Sequence, residues 1–161
     1  MTMKKILISL SLALLLVTPA FAEEATRSGK KAEFRERITQ IRDEKKKQIV
    51  EHVSNQLKLI NDRAVQAMLR HLERLQELLN KIKTRKPAAD VSMAQTKIDE
   101  AKTAVEAQAA KEYIIEFTGE AGLRTGASAA KQKLRADLKA VREKVRLARQ
   151  AVVDTLKAAK L

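Results

Sequence analysis

The chain has 161 residues, a formal charge of +13, 33% charged and only 2% aromatic side chains, and neither Cys nor Trp. Without cysteine it can form no disulfide, no thiolate metal site and no thiol nucleophile. With so few aromatic residues, the composition favours a slender helical bundle or coiled coil over a compact globule.

Residues 1–22 have the three parts of a cleavable export signal. Lys4 and Lys5 supply a positive start, residues 6–17 form an apolar run, and residues 20–22 (Ala-Phe-Ala) have the small-x-small pattern of a cleavage site. Cleavage is expected before Glu23, with an uncleaved anchor as the alternative. The apolar run is shorter than the about 20 residues of a membrane span. The pattern predicts export to the periplasm, the cell surface or the medium.

Residues 23–30 are expected to be a flexible lead-in to a single helical domain over 31–161. A first helix is predicted over 31–85, a range without Pro or Gly. Its first half has an irregular apolar stripe, with Lys45 where an apolar residue is due. Residues 30–56 are therefore predicted to protrude from the bundle and to offer weak self-association. Its second half has apolar residues in steps of 3 and 4: Val65, Met68, Leu72, Leu75, Leu79 and Ile82.

Pro87 ends this helix, and a second is predicted over 91–117, opened either by a Ser92–Gln95 capping box or by Asp90. Residues 113–118 have strand propensity, but a single strand without a partner cannot form a sheet, so they are assigned to the end of this helix. Its repeat is Val91, Ala94, Ile98, Ala101, Val105 and Gln108.

Glycines at 119, 122 and 126 mark a connection, and a third helix is predicted over 127–160. Its repeat is Leu134, Leu138, Val141, Val145, Ala148 and Val152. The fold class expected from these patterns is all-α: an elongated, antiparallel three-helix coiled-coil bundle with a long protruding N-terminal helix.

Charge is distributed unevenly between the second and third helices. Residues 91–122 hold three Lys against six acidic residues, whereas residues 123–161 hold eleven Lys and Arg against three. Five basic residues on the third helix each follow an apolar repeat position, and we call this row the basic ladder: Arg135, Lys139, Arg142, Arg146 and Arg149.

Two interpretations of the basic ladder are open. It can pair with acidic residues of the second helix, such as Asp99 and Glu106. Alternatively it can bind a partner, either an anionic envelope polymer, an anionic membrane surface or an unfolded client protein. The export signal and the scarcity of aromatic side chains that could stack on bases argue against specific nucleic-acid recognition.

No enzymatic constellation is evident. His52 and His71 are separated by nineteen residues, or about 28 Å along a helix, and cannot share a metal ion within one helix. A slender bundle offers no concave, partly dry site that could shift pKa values for acid–base chemistry. The expectation is a protein without catalytic residues, cofactor or metal.

Three stretches resemble a group of small exported helical proteins from uncultivated, ultra-small bacteria. They are Asp90-Val-Ser-Met-Ala-Gln, Val105-Glu-Ala-Gln-Ala-Ala-Lys-Glu-Tyr and Leu134-Arg-Ala-Asp-Leu-Lys-Ala-Val-Arg, and the resemblance covers about residues 65–156. The group has no assigned activity, so the resemblance implies an exported helical protein and transfers no catalytic residue. In size, charge and export the chain is also similar to periplasmic helical chaperones, but the Leu-Thr-x-x-Gln repeat of the stress-induced type is missing.

The leading functional hypothesis is an exported, non-enzymatic structural or interaction protein of the cell envelope or surface. The alternative is a periplasmic-type chaperone or a polyanion-binding module that uses its basic helical surface.

Overall fold

A computed structural model describes residues 20–159, with side chains from residue 29 onward. The described part contains four α-helices: α1 (Ala20–Thr39), α2 (Glu44–Arg85), α3 (Ser92–Ala109) and α4 (Leu123–Ala158). A short 3₁₀ turn at Glu120–Gly122 precedes α4. The first 19 residues of the predicted export signal lie outside the described residues, so the signal stays a prediction.

The 3-and-4 repeats form the core, as predicted from the sequence. Every predicted repeat position of the second half of α2 and of α4 is buried. On α3 the repeat positions are buried except Val91, which is half-buried just before the helix begins. The helices α2, α3 and α4 each contact the other two. Hydrogen bonds from Asn61 to Gln108 and between Gln76 and Gln95 show that α2 and α3 run antiparallel.

The first predicted helix is interrupted at residues 40–43, so the prediction of one continuous helix over 31–85 is wrong. Asp43 is the N-cap of α2, because its carboxylate accepts hydrogen bonds from the backbone N–H groups of Lys45 (3.0 Å) and Lys46 (3.3 Å). Glu120 accepts from the backbone N–H groups of Arg42 (2.8 Å) and Asp43 (3.3 Å). These bonds satisfy donors that the interruption would otherwise leave unpaired.

Glu120 also holds the first turn of α2 through Lys46, whose Nζ lies 2.7 Å from its carboxylate. This hydrogen bond is the main reason why the pKa of Glu120 is lowered and the pKa of Lys46 is raised. The 3₁₀ turn before α4 therefore fixes the place where α1 gives way to α2.

Helix α1 folds back against the rest of the molecule and does not protrude. The Phe34 ring meets the edge of Phe117, with centroids 6.4 Å apart. The Arg37 guanidinium donates to the Phe117 carbonyl (3.2 Å), and Ile38 and Ile41 are buried. The prediction of a long protruding helix, with residues 30–56 outside the bundle, is therefore wrong.

Unequal helix lengths explain why α1 folds back. The 42 residues of α2 and the 36 of α4 span about 63 and 54 Å, whereas the 18 residues of α3 span only about 27 Å. Beyond the end of α3, the core residues Val50 and Leu57 of α2 and Ala130 of α4 need another cover. Helix α1 and residues 111–117 supply it, and burial of this apolar surface offsets the entropy lost on ordering them.

Residues 111–117 form no helix, so the prediction that the second helix continues to 117 is wrong. Burial alternates along these residues: Tyr113, Ile115 and Phe117 are buried, while Glu112 and Glu116 are exposed. This alternation is typical of an extended chain, and we call residues 111–117 the extended segment, although no strand forms among the described residues. The segment packs by its side chains between α1 and the start of α4.

Three helix boundaries also differ from the predicted ones. The N-cap of α3 is Val91, which makes no side-chain cap bond, so neither the Ser92–Gln95 capping box nor an Asp90 N-cap forms. Asp90 instead accepts from the backbone N–H (2.9 Å) and the hydroxyl (2.6 Å) of Ser92, the first residue of α3. Helix α4 begins at Leu123, whose side chain is buried, and not at residue 127. Residues 23–30, expected to be a flexible lead-in, lie within α1.

Candidate functional site

All five side chains of the basic ladder are exposed on α4. Arg146 pairs with Glu143, one turn before it on the same helix, at 2.7 Å. Among the residues whose side chains the structure describes, the other four members have no ion pair or hydrogen-bond partner. Apart from Glu143, the stretch 135–149 contains one acidic residue, Asp137. Asp137 pairs with Lys111 at 3.2 Å and is not a partner of the ladder. The ladder is therefore available to an external anion.

The ladder lies on the flank of α4 that points away from α3. On α4, Asp137 contacts Lys111 and Tyr113 in the segment that follows α3, and Lys144 lines a cleft with Asp99 of α3. These two residues each precede a core position, whereas each ladder residue follows one. At about 100° per residue, the two sets occupy opposite flanks of the helix.

The proposed pairing of the ladder with α3 is accordingly not made in the described residues. Asp99 accepts from the side chain of Gln95, and Glu106 has no side-chain partner there. The ladder instead borders the groove between α4 and α2.

Sequence reasoning missed two groups of cations on the same face. Gln76 of α2 contacts α3, so the half-buried residues His71 and Leu78 lie on the other flank, toward α4. Arg74 lies three residues after His71, and Lys81 lies three residues after Leu78, so both cations neighbour these residues on the helix surface. Arg74 and Lys81 are seven residues apart, so they occupy the same position in successive heptads. This regular spacing is the signal in the sequence that could have identified them.

The second missed group continues the ladder toward the start of α4. Gly126 and Lys133 line a cleft with residues of the extended segment, which marks one flank of this part of the helix. Arg124 and Lys131 are exposed on the opposite flank, the flank of the ladder. The groove between α2 and α4 is thus bordered by cations along most of its length.

A buried polar cluster lies where α3 ends, and sequence reasoning did not anticipate it. The Gln108 amide donates to Asn61 Oδ1 (2.8 Å) and to the Tyr113 hydroxyl (2.6 Å), and that hydroxyl donates to Asp137 (2.8 Å). Gln108 Oε1 has no partner among the described residues. Burial is the main cause that raises the pKa of Tyr113 to about 12. The cluster links α2, α3 and α4 through specific hydrogen bonds and so sets their register. Because Gln108 and Asn61 are buried, the cluster is not a site for a substrate.

A cleft with a volume of about 690 Å³ lies between α1, α2 and the start of the extended segment. It is lined by side chains of both signs, among them Arg35, Lys58, Glu51 and Asp62. It therefore has no single charge preference, in contrast to the groove between α2 and α4.

Among the described residues, no cluster of three or more His, Asp or Glu side chains is arranged to hold a metal ion. His52 is exposed and His71 is half-buried, both on α2. No helix in the described range is both long enough and apolar enough to span a bilayer. No protein-family model, no curated protein and no solved structure matches this chain.

Proposed function

We propose that the protein is a non-enzymatic interaction protein that binds anionic partners through the basic ladder of α4. The observation that carries this proposal is the ladder's lack of partners: four of its five cations are exposed and unpaired among the described side chains. Cations held in a row on a rigid helix retain their spacing, so an anion of matching charge density displaces several counterions at once.

The experiment is a salt titration of binding to long-chain polyphosphate, with the wild type and an Arg142→Gln, Arg146→Gln, Arg149→Gln triple variant. Removing three exposed charges should weaken binding, and the slope of log affinity against log salt should become shallower by up to about three units. Because exposed charges contribute little to stability, the melting temperature should change by no more than a few degrees.

A matched control removes the same number of charges from elsewhere on the surface. Lys83, Lys86 and Lys102 are exposed and lie off the face that the ladder forms. The control triple change to Gln should retain most of the affinity for polyphosphate. If both triple variants lose affinity equally, only net charge matters and the ladder is not a site. A lower melting temperature with unchanged binding would also count against the proposal.

We also propose the finer architecture and the location predicted from the sequence. The buried 3-and-4 repeats of α2, α3 and α4 support an antiparallel coiled coil of these three helices. The export signal predicted at residues 1–22 supports a role at the cell envelope or surface. Self-association through residues 30–56 stays a prediction, although Ile38, Ile41 and Val50 are buried within the chain and cannot contribute to it.

A further inference from the structure

Three large apolar side chains on α2 are exposed, Ile49, Leu59 and Ile60, and the first and last of them lie on one flank of the helix. Ile49 is 61% exposed and Ile60 is 47% exposed, and the half-buried Val53 lies between them. At about 100° per residue, Ile49, Val53 and Ile60 share one flank of the helix and form a short apolar ridge.

The apolar ridge lies on the same face of the molecule as the basic ladder. The opposite flank of α2, with Glu51, Ser54 and Lys58, lines the cleft beneath α1. The ridge therefore lies on the flank that further along carries Arg74 and Lys81, toward α4. Of the other large exposed apolar residues, Leu59 is turned about 100° away from Ile60 on α2, Leu147 is on the Lys144 flank of α4 and Met93 is on α3.

The level of the ridge along the molecule follows from the buried polar cluster. Asn61 and Asp137 are joined through Gln108 and Tyr113, which places them at the same height on α2 and α4. Ile60 therefore lies at the height of Arg135, and the earlier Ile49 lies near the start of α4 and Arg124. Apolar side chains and cations are thus neighbours on one surface.

We infer that this face binds an anionic lipid surface, with the apolar ridge entering the boundary between headgroups and acyl chains while the cations contact lipid phosphates. This inference rests on the proposed anion binding by the ladder and specifies its partner. A dissolved polyanion would use the cations alone and leave the two isoleucines in water. An anionic bilayer interface uses both, since interfacial binding combines buried apolar area with attraction to acidic lipids.

The test compares two probes: vesicles of mixed phosphatidylglycerol and phosphatidylcholine, and dissolved long-chain polyphosphate. An Ile49→Ser, Ile60→Ser double variant should bind the anionic vesicles at least about tenfold more weakly, because it lacks the two apolar side chains that enter the lipid interface. Its affinity for polyphosphate should not change. The Arg142→Gln, Arg146→Gln, Arg149→Gln variant should lose affinity for both probes, and vesicles of phosphatidylcholine alone should bind the wild type weakly.

A matched control changes two other exposed apolar residues, Met93 (73% exposed) and Leu147 (42% exposed), which lie away from this face. A Met93→Ser, Leu147→Ser variant should bind anionic vesicles as the wild type does. Circular dichroism of every variant checks that the helices are retained, which the exposure of all four residues favours.

The absence of Trp from the chain allows a direct measurement of insertion. An Ile60→Trp variant should show a blue-shifted emission maximum when anionic vesicles are added, whereas a Met93→Trp variant should not. This readout does not depend on comparing affinities between variants.

Five results would overturn the inference. Equal vesicle affinity of the wild type and the Ile49→Ser, Ile60→Ser variant, or no blue shift for Ile60→Trp, would refute insertion of the ridge while leaving polyphosphate binding as evidence for the proposed function. Polyphosphate binding without vesicle binding would have the same meaning. A dimer in light scattering that the double Ser variant abolishes would assign the ridge to a second copy of this chain. Binding to neither probe would refute both the inference and the proposed function.

Discussion

Gly126 provides the sharpest test of how the extended segment packs on α4. A Cβ atom at this position would lie 2.0 Å from the carbonyl oxygen of Glu116 and 3.3 Å from Ile115 Cγ2. Ordinary contact begins at 3.4 Å, so a Gly126→Ala change requires the Glu116 carbonyl to retreat by about 1.4 Å, the difference between 3.4 and 2.0. That shift moves Ile115 and Phe117, which are buried on either side of it.

The free energy of unfolding should fall by about 1–2 kcal/mol in the Gly126→Ala variant. Overpacking of this kind costs about 1–3 kcal/mol, and replacing a helical Gly by Ala returns about 0.5–1 kcal/mol. Urea denaturation followed by far-ultraviolet circular dichroism measures the difference.

Gly122 is the matched control for this experiment. A Cβ there would have its nearest neighbour at 3.8 Å, and its φ of −80° suits any residue. Gly122→Ala should therefore be neutral or stabilise by up to about 1 kcal/mol. A Gly126→Ala variant as stable as Gly122→Ala would show that the extended segment does not lie against α4 as described.

Three further predictions concern other parts of the structure. Ultraviolet titration of Tyr113, the single tyrosine, should give a pKa of about 12 in the folded protein and about 10 in urea. The contribution of protonated Tyr113 to stability should therefore be complete below about pH 10 and be lost as the pH rises to about 12. Equal pKa values in the folded and unfolded protein would contradict the buried cluster. In the folded protein the pKa of Glu120 is lowered from 4.5, so its carboxylate stabilises the fold at neutral pH and this contribution is lost as the pH falls below 4.5. Glu120→Gln should therefore be less stable than the wild type at neutral pH and lose less stability on acidification. Parallel acid-denaturation curves would argue against its role at residues 40–43. Leu138→Asp should destabilise the fold by several kcal/mol, whereas Lys157→Asp, an exposed change, should stay within about 0.5 kcal/mol; equal melting temperatures would refute the core assignment.

Local periodicity was enough to identify the regular part of the fold. The 3-and-4 repeats from Val65 to Ile82 and from Leu134 to Val152 specify both helix and buried face, because each residue's environment follows from its own neighbours on the helix. The same argument placed the basic ladder on an exposed flank, since residues that follow core positions turn away from the centre.

Asp43 shows where local signals were insufficient. An Asp followed by Glu44 is a good helix start, but it lies in a charged run that is equally compatible with a continuous helix. The interruption is decided by Glu120, nearly eighty residues away in the chain, which bonds to the backbone of Arg42 and Asp43. No pattern in residues 31–85 contains that partner.

The sequence by itself determined the helical class, the core positions of the three repeat regions and the exposure of the basic ladder, because these depend on contacts between residues three and four apart. Only the tertiary structure decided that α1 folds back, that residues 111–117 are extended and that Ile60 shares a face with the ladder. The first two follow from the short length of α3, which leaves apolar residues of α2 and α4 to be covered. The third depends on how α2 and α4 are rotated about their axes relative to each other, and that rotation is set by packing between distant parts of the chain.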